Sequence, residues 1–507
     1  MPTEKKQLHV NLFEMACVVH HSTGLWGEPG DQRPRFADIG FWTELAQLLE
    51  SGSFDCLFLA DVLGAYDHLG LDEELVSGHQ IPTLDPLILI PAMAAVTSGL
   101  GFGATFSTTY EPPFAFARRA STLDFLTRGR FAWNIVTSYL HNAAQNFGLD
   151  NQVPHDDRYQ IADEYLDVLY KLWEGSWDDD ALVLDRVTRT VSDPAKVRYI
   201  DHIGTHYRVK GPHLTHASPQ RTPFLFQATR SNAGKEFAAR HAEALFTGAV
   251  GESGRASLAD LRARLVRHGR RPDDIKIFAG ASIITGRSDA EIAKKEELYH
   301  RVIFEGSRLH PARFGVDLTR FNPTETIASL VAKKVEGWER LYQVSRFGPE
   351  QATVADLIQR QKNAGREGRG ERGGFQVIGS PKVVADAIEK WLDEDGIDGI
   401  NLRQYASFTT ARDFIELVVP ELRSRGRYRE AYTPGETLRE RVFGAGRARL
   451  PDYHFGARYR DPAKLHEPRP LLVYPEVVQE VKARESERDR PLIPPGRTVA
   501  PLAAALG

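Results

Sequence analysis

The sequence predicts an α/β fold, a (β/α)8 TIM barrel with insertions and a C-terminal extension, and three observations point to it. Short, near-continuously apolar runs alternate with helical patterns from residue 8 to residue 426. Runs of that kind are how strands read when a parallel sheet buries both of their faces. Eight such units spread over roughly 420 residues suit an enlarged barrel, since about 250 residues suffice without insertions. The composition supports a substantial core, with 42% hydrophobic and 26% charged residues in a chain of 507. The alternation by itself is shared with a doubly wound open sheet.

In order, LHVNLF (8–13) is the first strand and FWTELAQLLESG (41–52) the first helix, with Gly52 where a C-cap belongs. FDCLFLA (54–60) precedes a helix over DPLILIPAMAAVTS (85–98), and LGFGATFS (100–107) precedes one over PFAFARRASTLDFLT (113–127). FAWNIVT (131–137) and DRYQIADEYLDVLYKLW (157–173) make the fourth unit. PFLFQAT (223–229) runs into a helix from Ser231, EALFTGA (243–249) into one near 254–268, and IKIFAGASIIT (275–285) follows. DGINLR (398–403) is the last strand, before the helix TARDFIELVVPELRSRG. Two segments interrupt a barrel domain of residues 1–434: a polar, His-rich excursion at 175–222, and a larger one at 305–377 that is a candidate lid. Residues 435–507, rich in Pro, Arg and Glu, read as an extended arm lying on the barrel or on a partner subunit.

Composition also excludes. A net charge of −4 and a pI near 6.5 offer no general basic field for nucleic acid or a membrane surface. Cys17 and Cys56 stand apart without CxxC spacing, which argues against a disulfide framework or zinc cluster and fits a reducing, cytoplasmic compartment. The N-terminus lacks the apolar core of a signal peptide, and no apolar run is long enough to span a bilayer. GLGFGATF (99–106) lacks the third glycine of a dinucleotide fingerprint, and no GxxxxGK[ST] occurs. His202, His206, His213 and His216 sit in an irregular segment without HExxH, so a surface loop is the better reading than a metal site.

Two segments carry more. QATRSNAGKEFAARHAEALF (227–246) passes from an apolar strand into a helix beginning at Ser231. The free N–H groups of that helix start, with the Ser hydroxyl and Gly234, make a natural phosphate cradle, although a Ser N-cap alone explains the same residues. HDDRY places His155 and Tyr159 one helical turn apart, where both can donate to a phosphate or sugar. A helix-start His and a half-buried Tyr explain that pair equally well.

Taken together with FDCLFLAD (54–61), ATFSTTYEPPFAFAR (104–118), LDFLTRGRFAWNIVTS (123–138), NFGLD (146–150) and the ending YREAYTPGETLRERV (428–442), these segments resemble the bacterial luciferase-like flavin monooxygenase superfamily. The resemblance is closest to the branch holding nitrilotriacetate monooxygenase, dibenzothiophene sulfone monooxygenase and long-chain alkane monooxygenase. It runs over about 435 residues in the family's order, with HDDRY seventeen to twenty-one residues after WNIVTS.

The resemblance implies a two-component enzyme. Reduced FMN (FMNH2), delivered by a separate NAD(P)H:flavin reductase, would react with O2 to a C4a-hydroperoxide that oxidises a small sulfur-, nitrogen- or ring-containing substrate. It places Asp61 at the flavin face, Thr105 and Ser107 near the isoalloxazine, and Asn134, Thr137 and Ser138 at the end of the fourth strand. His155, Tyr159 and Ser231 would hold the ribityl chain and phosphate, and His21, with His20 as the competing choice, would be the acid or base. It also implies a homodimer or homotetramer. The chain departs from the family where Thr229 replaces a common glycine and is followed by Arg230, where Trp26–Gly27 replaces Trp-Arg, and where Arg313 replaces a histidine, so no relative's substrate carries over. A deazaflavin (F420) oxidoreductase and a catalytically silent flavin-binding barrel are the alternatives.

Overall fold

The apolar runs become strands whose side chains alternate between the barrel lumen and the surrounding helices. In the computed structural model, residues 5–67, 71–248, 251–308, 318–335, 352–363 and 375–472 are described. The strands are β1 His9–Met15, β2 Cys56–Ala60, β3 Gly101–Ser107, β4 Phe131–Val136, β5 Phe224–Ala228, β6 Ala244–Thr247, β7 Lys276–Ile284, β8 Phe375–Ile378 and β9 Gly399–Arg403. All pair in parallel, and pairing of β6 with β7, of β7 with β9 and of β9 with β1 closes eight of them into a (β/α)8 barrel. Among the described residues the ninth, β8, pairs only with the far end of β7, Ala281 opposite Phe375. It therefore extends the wall past the barrel rim, within the segment expected to be a lid.

The helices that matter are α1 Ile39–Ser51, α2 Pro86–Ala95, α3 Pro113–Leu126, α4 His155–Tyr170, α5 Asn232–His241, α6 Gly251–Arg267, α7 Asp289–Arg308 and α8 Pro381–Asp393. Asp38, Asp85, Ser231 and Ser380 cap four of them by accepting a first-turn backbone N–H, as short polar side chains at that position do. Between α4 and β5, the polar excursion folds into two small hairpins, Leu182–Asp185 with Thr190–Ser192 and His202–Ile203 with Arg208–Val209.

Phe58, Phe226, Phe246 and Phe278 meet ring against ring in the lumen, at 4.6–6.1 Å between centroids. The barrel base is closed by the helix Leu438–Phe443, whose Leu438 and Val442 pack with Phe58, Phe224, Phe226 and Phe278. Thr437 and Glu440 form a capping box that starts this helix sharply. The described residues through Arg469 form one compact unit. Among the described residues, no helix is long and apolar enough to cross a membrane.

Candidate active site

Because every barrel strand runs the same way, the residues ending the strands gather at one mouth, where barrel enzymes place their chemistry. Three groups of the expected residues stand there. At the β3–β4 end, Thr105 lies opposite Asn134 in register, and Asn134 Nδ2 donates to Thr105 Oγ1 at 2.9 Å. Asn134 Oδ1 is buried with no partner among the described residues. Ser138 Oγ donates to Ser107 Oγ at 2.8 Å, and Thr109 Oγ1 donates to the Thr137 carbonyl at 2.7 Å. Ser138 adopts a left-handed backbone, φ 55°, a conformation that side chains other than glycine take at a cost.

The second group forms where α4 meets the start of α5. The Gly234 N–H donates to Ser231 Oγ at 3.1 Å, leaving the hydroxyl proton and the neighbouring helix amides for a ligand. Tyr159 OH lies 3.4 Å from Thr229 Oγ1, and the His155 and Tyr159 rings are 5.3 Å apart. Gly234 is there by necessity. A Cβ at that position would stand 1.7 Å from Thr229 Oγ1 and 2.7 Å from Tyr159 OH. His155 is the outlying member, exposed and 2.6 Å from Asp156.

The third group is the loop after β1. His20 is buried and His21 exposed, with their rings 3.7 Å apart and both against Phe13, at 4.8 and 5.0 Å. Burial, helped by the nearby charges of His79, Arg403 and Arg33, pulls the His20 pKa down to about 3, so its imidazole is neutral at pH 7. Its Nδ1 has no partner among the described residues. Asp61, just past β2, is half-buried, and burial with the neighbouring Asp85 carboxylate pushes its pKa up to about 7.

Arg158 was not among the residues expected at the site. Its residue is only 7% exposed, yet its guanidinium makes no ion pair or hydrogen bond among the described residues and stands near Tyr110 and Tyr159. An unpaired buried cation is costly unless an anion arrives. The signal lay inside HDDRY, as the residue one turn after His155. Tyr66 and Tyr139, whose hydroxyls are hydrogen-bonded across the mouth, were not among the expected residues either. Of the expected substrate-side departures, Trp26 is exposed and Gly27 has open space beside it, while Arg313 lies outside the described residues.

Of the excursion's histidines, His206 gives its backbone N–H to the same Glu164 that the His202 ring meets, and the other two go elsewhere. His202 meets Glu164 at 3.3 Å, His213 meets Ser121 at 2.9 Å, and His216 lies on Phe125.

Comparison with known proteins adds an independent line. The model of the luciferase-like monooxygenase family matches residues 15–399. The long-chain alkane monooxygenase of Geobacillus thermodenitrificans (strain NG80-2) is 46% identical over 462 residues, covering 90% of this chain and 98% of that one. A crystal structure of a long-chain alkane monooxygenase superposes with a TM-score of 0.79 at 46% identity, over 90% of this chain and all of that one. The dimethyl-sulfide monooxygenase of Hyphomicrobium sulfonivorans is 43% identical over 466 residues, 90% of this chain and 94% of its own. Component A of nitrilotriacetate monooxygenase from Aminobacter aminovorans is 32% identical over 454 residues, 86% of this chain and 96% of that one.

Proposed function

The chain belongs to the luciferase-like monooxygenase family and is a flavin-dependent monooxygenase, and from that premise we propose that it is the oxygenase of a two-component system. It takes reduced FMN from a separate NAD(P)H:flavin reductase and uses O2 to oxidise a small organic substrate, one carrying a sulfur, a nitrogen or a ring. The relative named as a component A supports the division of labour, as does the lack of a nicotinamide fingerprint in the sequence.

The observation that carries FMN rather than a phosphate-free flavin is the buried Arg158, which follows the helix start on α4, stands near Tyr110 and Tyr159, and has no partner for its Nε among the described residues. A phosphate dianion would give that guanidinium its missing partner and accept from the exposed helix amides. Tyr159, Ser231 and Gly234 complete the cradle, with His155 at its rim. Thr105, Ser107, Asn134, Thr137 and Ser138 then line the ring system, where the orphaned Asn134 Oδ1 is ready to accept an N–H, and Asp61 faces it from β2. Bound there, reduced FMN supplies the activation of O2. Phe13 and Tyr66, both partly buried, give the mouth apolar surface that favours excluding water. His21 is exposed to that mouth and holds or moves a proton at its imidazole, a role that the neutral, buried His20 performs less well.

The test has two arms. The purified chain with FMN and NADH should consume almost no NADH, and adding an unrelated flavin reductase should start O2-dependent turnover. Rapid NADH oxidation by the chain alone sinks the two-component reading. In the second arm, Ser231→Asp should weaken FMN at least about tenfold, through a lost charge-assisted hydrogen bond plus repulsion. Riboflavin should barely change; equal weakening of both would move the phosphate elsewhere.

A further inference from the structure

The two helices that frame the phosphate cradle are tied together one turn below it, and the tie is completed by the C-terminal arm. Asp163 lies one helical turn after Tyr159 on α4 and is fully buried. From α5, Arg240 Nη1 donates to both its oxygens at 3.0 and 3.1 Å. Burial pulls the His241 pKa down to about 4, so its ring is neutral: Nε2–H donates to Asp163 Oδ1 at 2.8 Å, while Nδ1 accepts from Tyr170 OH at 3.2 Å. Upward from this point, contacts lead straight into the cradle. His241 packs on Phe237 at 4.6 Å, Phe237 on Tyr159 at 5.6 Å, and Tyr159 reaches Thr229.

The arm grips the same joint from outside. Arg469 donates to Asp163 Oδ2, and its other nitrogen lies 3.9 Å from Glu164. Phe455 lies under the Arg240 guanidinium at 4.9 Å, and His454 Nε2 donates to the His241 carbonyl, the C-terminal end of α5, at 3.2 Å. Tyr459 OH donates to Asp167, one turn further along α4. Thus the charged part of the α4–α5 joint centres on one carboxylate held by three partners, one of which comes from more than 225 residues away in sequence.

We infer that Arg469 is a positioning residue for the cofactor phosphate: the arm sets how α4 docks on α5, and so the distance between Tyr159 with Arg158 on one side and the Ser231–Gly234 turn on the other. The inference rests on the phosphate placement argued above. A carboxylate with a fixed ring of donors has few alternative geometries, so losing one donor lets the joint shift without dissolving it. Arg240 and His241 still satisfy Asp163 in an Arg469→Gln chain, which is why the fold should survive.

The experiment is a titration of the full chain with oxidised FMN and with riboflavin, following flavin fluorescence, alongside thermal unfolding. Arg469→Gln should weaken FMN about three- to tenfold, in the range of residues that act through packed neighbours. Riboflavin affinity should stay within about twofold, and Arg469→Lys should recover part of the FMN loss. A scaffold role alone predicts something else: lower thermal stability with an unchanged FMN-to-riboflavin ratio, and that result overturns the inference. Should Arg469→Gln not fold, Arg469→Lys carries the same comparison, because it keeps the charge and loses the forked reach. Ser231→Asp runs in parallel. If it too leaves the ratio unchanged, the cradle itself is misplaced and both readings fall; if it shifts the ratio and Arg469→Gln does not, only the arm's part fails.

Discussion

The strand β2 carries an aspartate at each end, and the two have opposite electrostatics. Asp55, at the barrel base, is fully buried, and burial alone would raise its pKa. The charges of Arg429 and His9 overcome that and hold it well below the ordinary carboxylate range. Asp61, at the mouth, meets only burial, the Asp85 carboxylate and one backbone N–H, and rises to about 7. The contrast extends to the whole of each end. At the base, Arg439 binds Glu243 with two nitrogens at 2.7 and 3.0 Å, and Arg441 binds Glu436 at 2.7 Å. At the mouth, Arg158, Asn134 Oδ1 and His20 Nδ1 are buried without partners among the described residues. The charged side chains named at the base are held in ion pairs, whereas the residues named at the mouth leave a guanidinium, an amide oxygen and a ring nitrogen open to a ligand.

The largest expected effect breaks the mouth alone. General acid–base help is worth on the order of 10² to 10⁴ in rate. His21→Ala should therefore still bind reduced FMN and consume O2, yet lose product by that order and release hydrogen peroxide instead. His20→Ala should be milder, since its imidazole is buried and neutral. Peroxide and product quantified together decide it: a larger loss in His20→Ala transfers the role, and near-normal coupling in both sends the proton donor to the 305–377 segment.

Next in size is the base. Arg439→Met removes one partner of a buried ion pair whose side chains are 1% and 3% exposed. Stranding Glu243 should cost about 3–5 kcal/mol in denaturant unfolding. FMN affinity should be unchanged, and a parallel fall in affinity would mean that the two ends are not independent.

Arg158→Met should move the two quantities in opposite directions. The unfolding free energy should hold or rise, because an uncompensated buried cation has gone. FMN affinity should fall about tenfold or more, with riboflavin little affected. A destabilised variant with intact FMN binding would show that Arg158 belongs with the paired residues of the base.

This division explains what could be read beforehand. The barrel strands were legible because a parallel strand buried on both faces is a continuous apolar run, and β3, expected at 100–107, is Gly101–Ser107. The strand β8 was not, because Phe375–Ile378 is too short to stand out beside a Gly- and Arg-rich stretch. Ser231 and Tyr159 were found because helix starts and i, i+4 spacing are local. Arg158, Asp163 and Asp167 were not, since a charged residue on a helix reads as solvent-facing, and only tertiary packing buries it. Arg469 is the extreme case, as its partner sits about three hundred residues upstream.

The smallest expected effect tests the two aspartates of β2 directly, by their pH dependence. An unfolded aspartate titrates near about 3.9. Asp61 holds its proton up to about 7 in the folded chain, so between those values the native state binds the proton more tightly than the unfolded state. Stability contributed by Asp61 is therefore complete at pH 4, declines as pH rises toward 7, and is gone above it. Asp55 has the opposite sign: its depressed pKa stabilises the chain above about pH 4 and is lost only as pH falls further. Asp61→Asn should accordingly match the parent chain near pH 5 and exceed it at pH 8, by roughly 1 kcal/mol, since solvent at the mouth relaxes much of the burial cost. Asp55→Asn should be less stable than the parent at both values, because Arg429 and His9 lose their partner. Unfolding measured at the two pH values, without flavin, separates them. An Asp61→Asn chain no more stable at pH 8 than at pH 5, relative to the parent, would place that carboxyl among satisfied groups and remove the electrostatic distinction between the two ends of the strand.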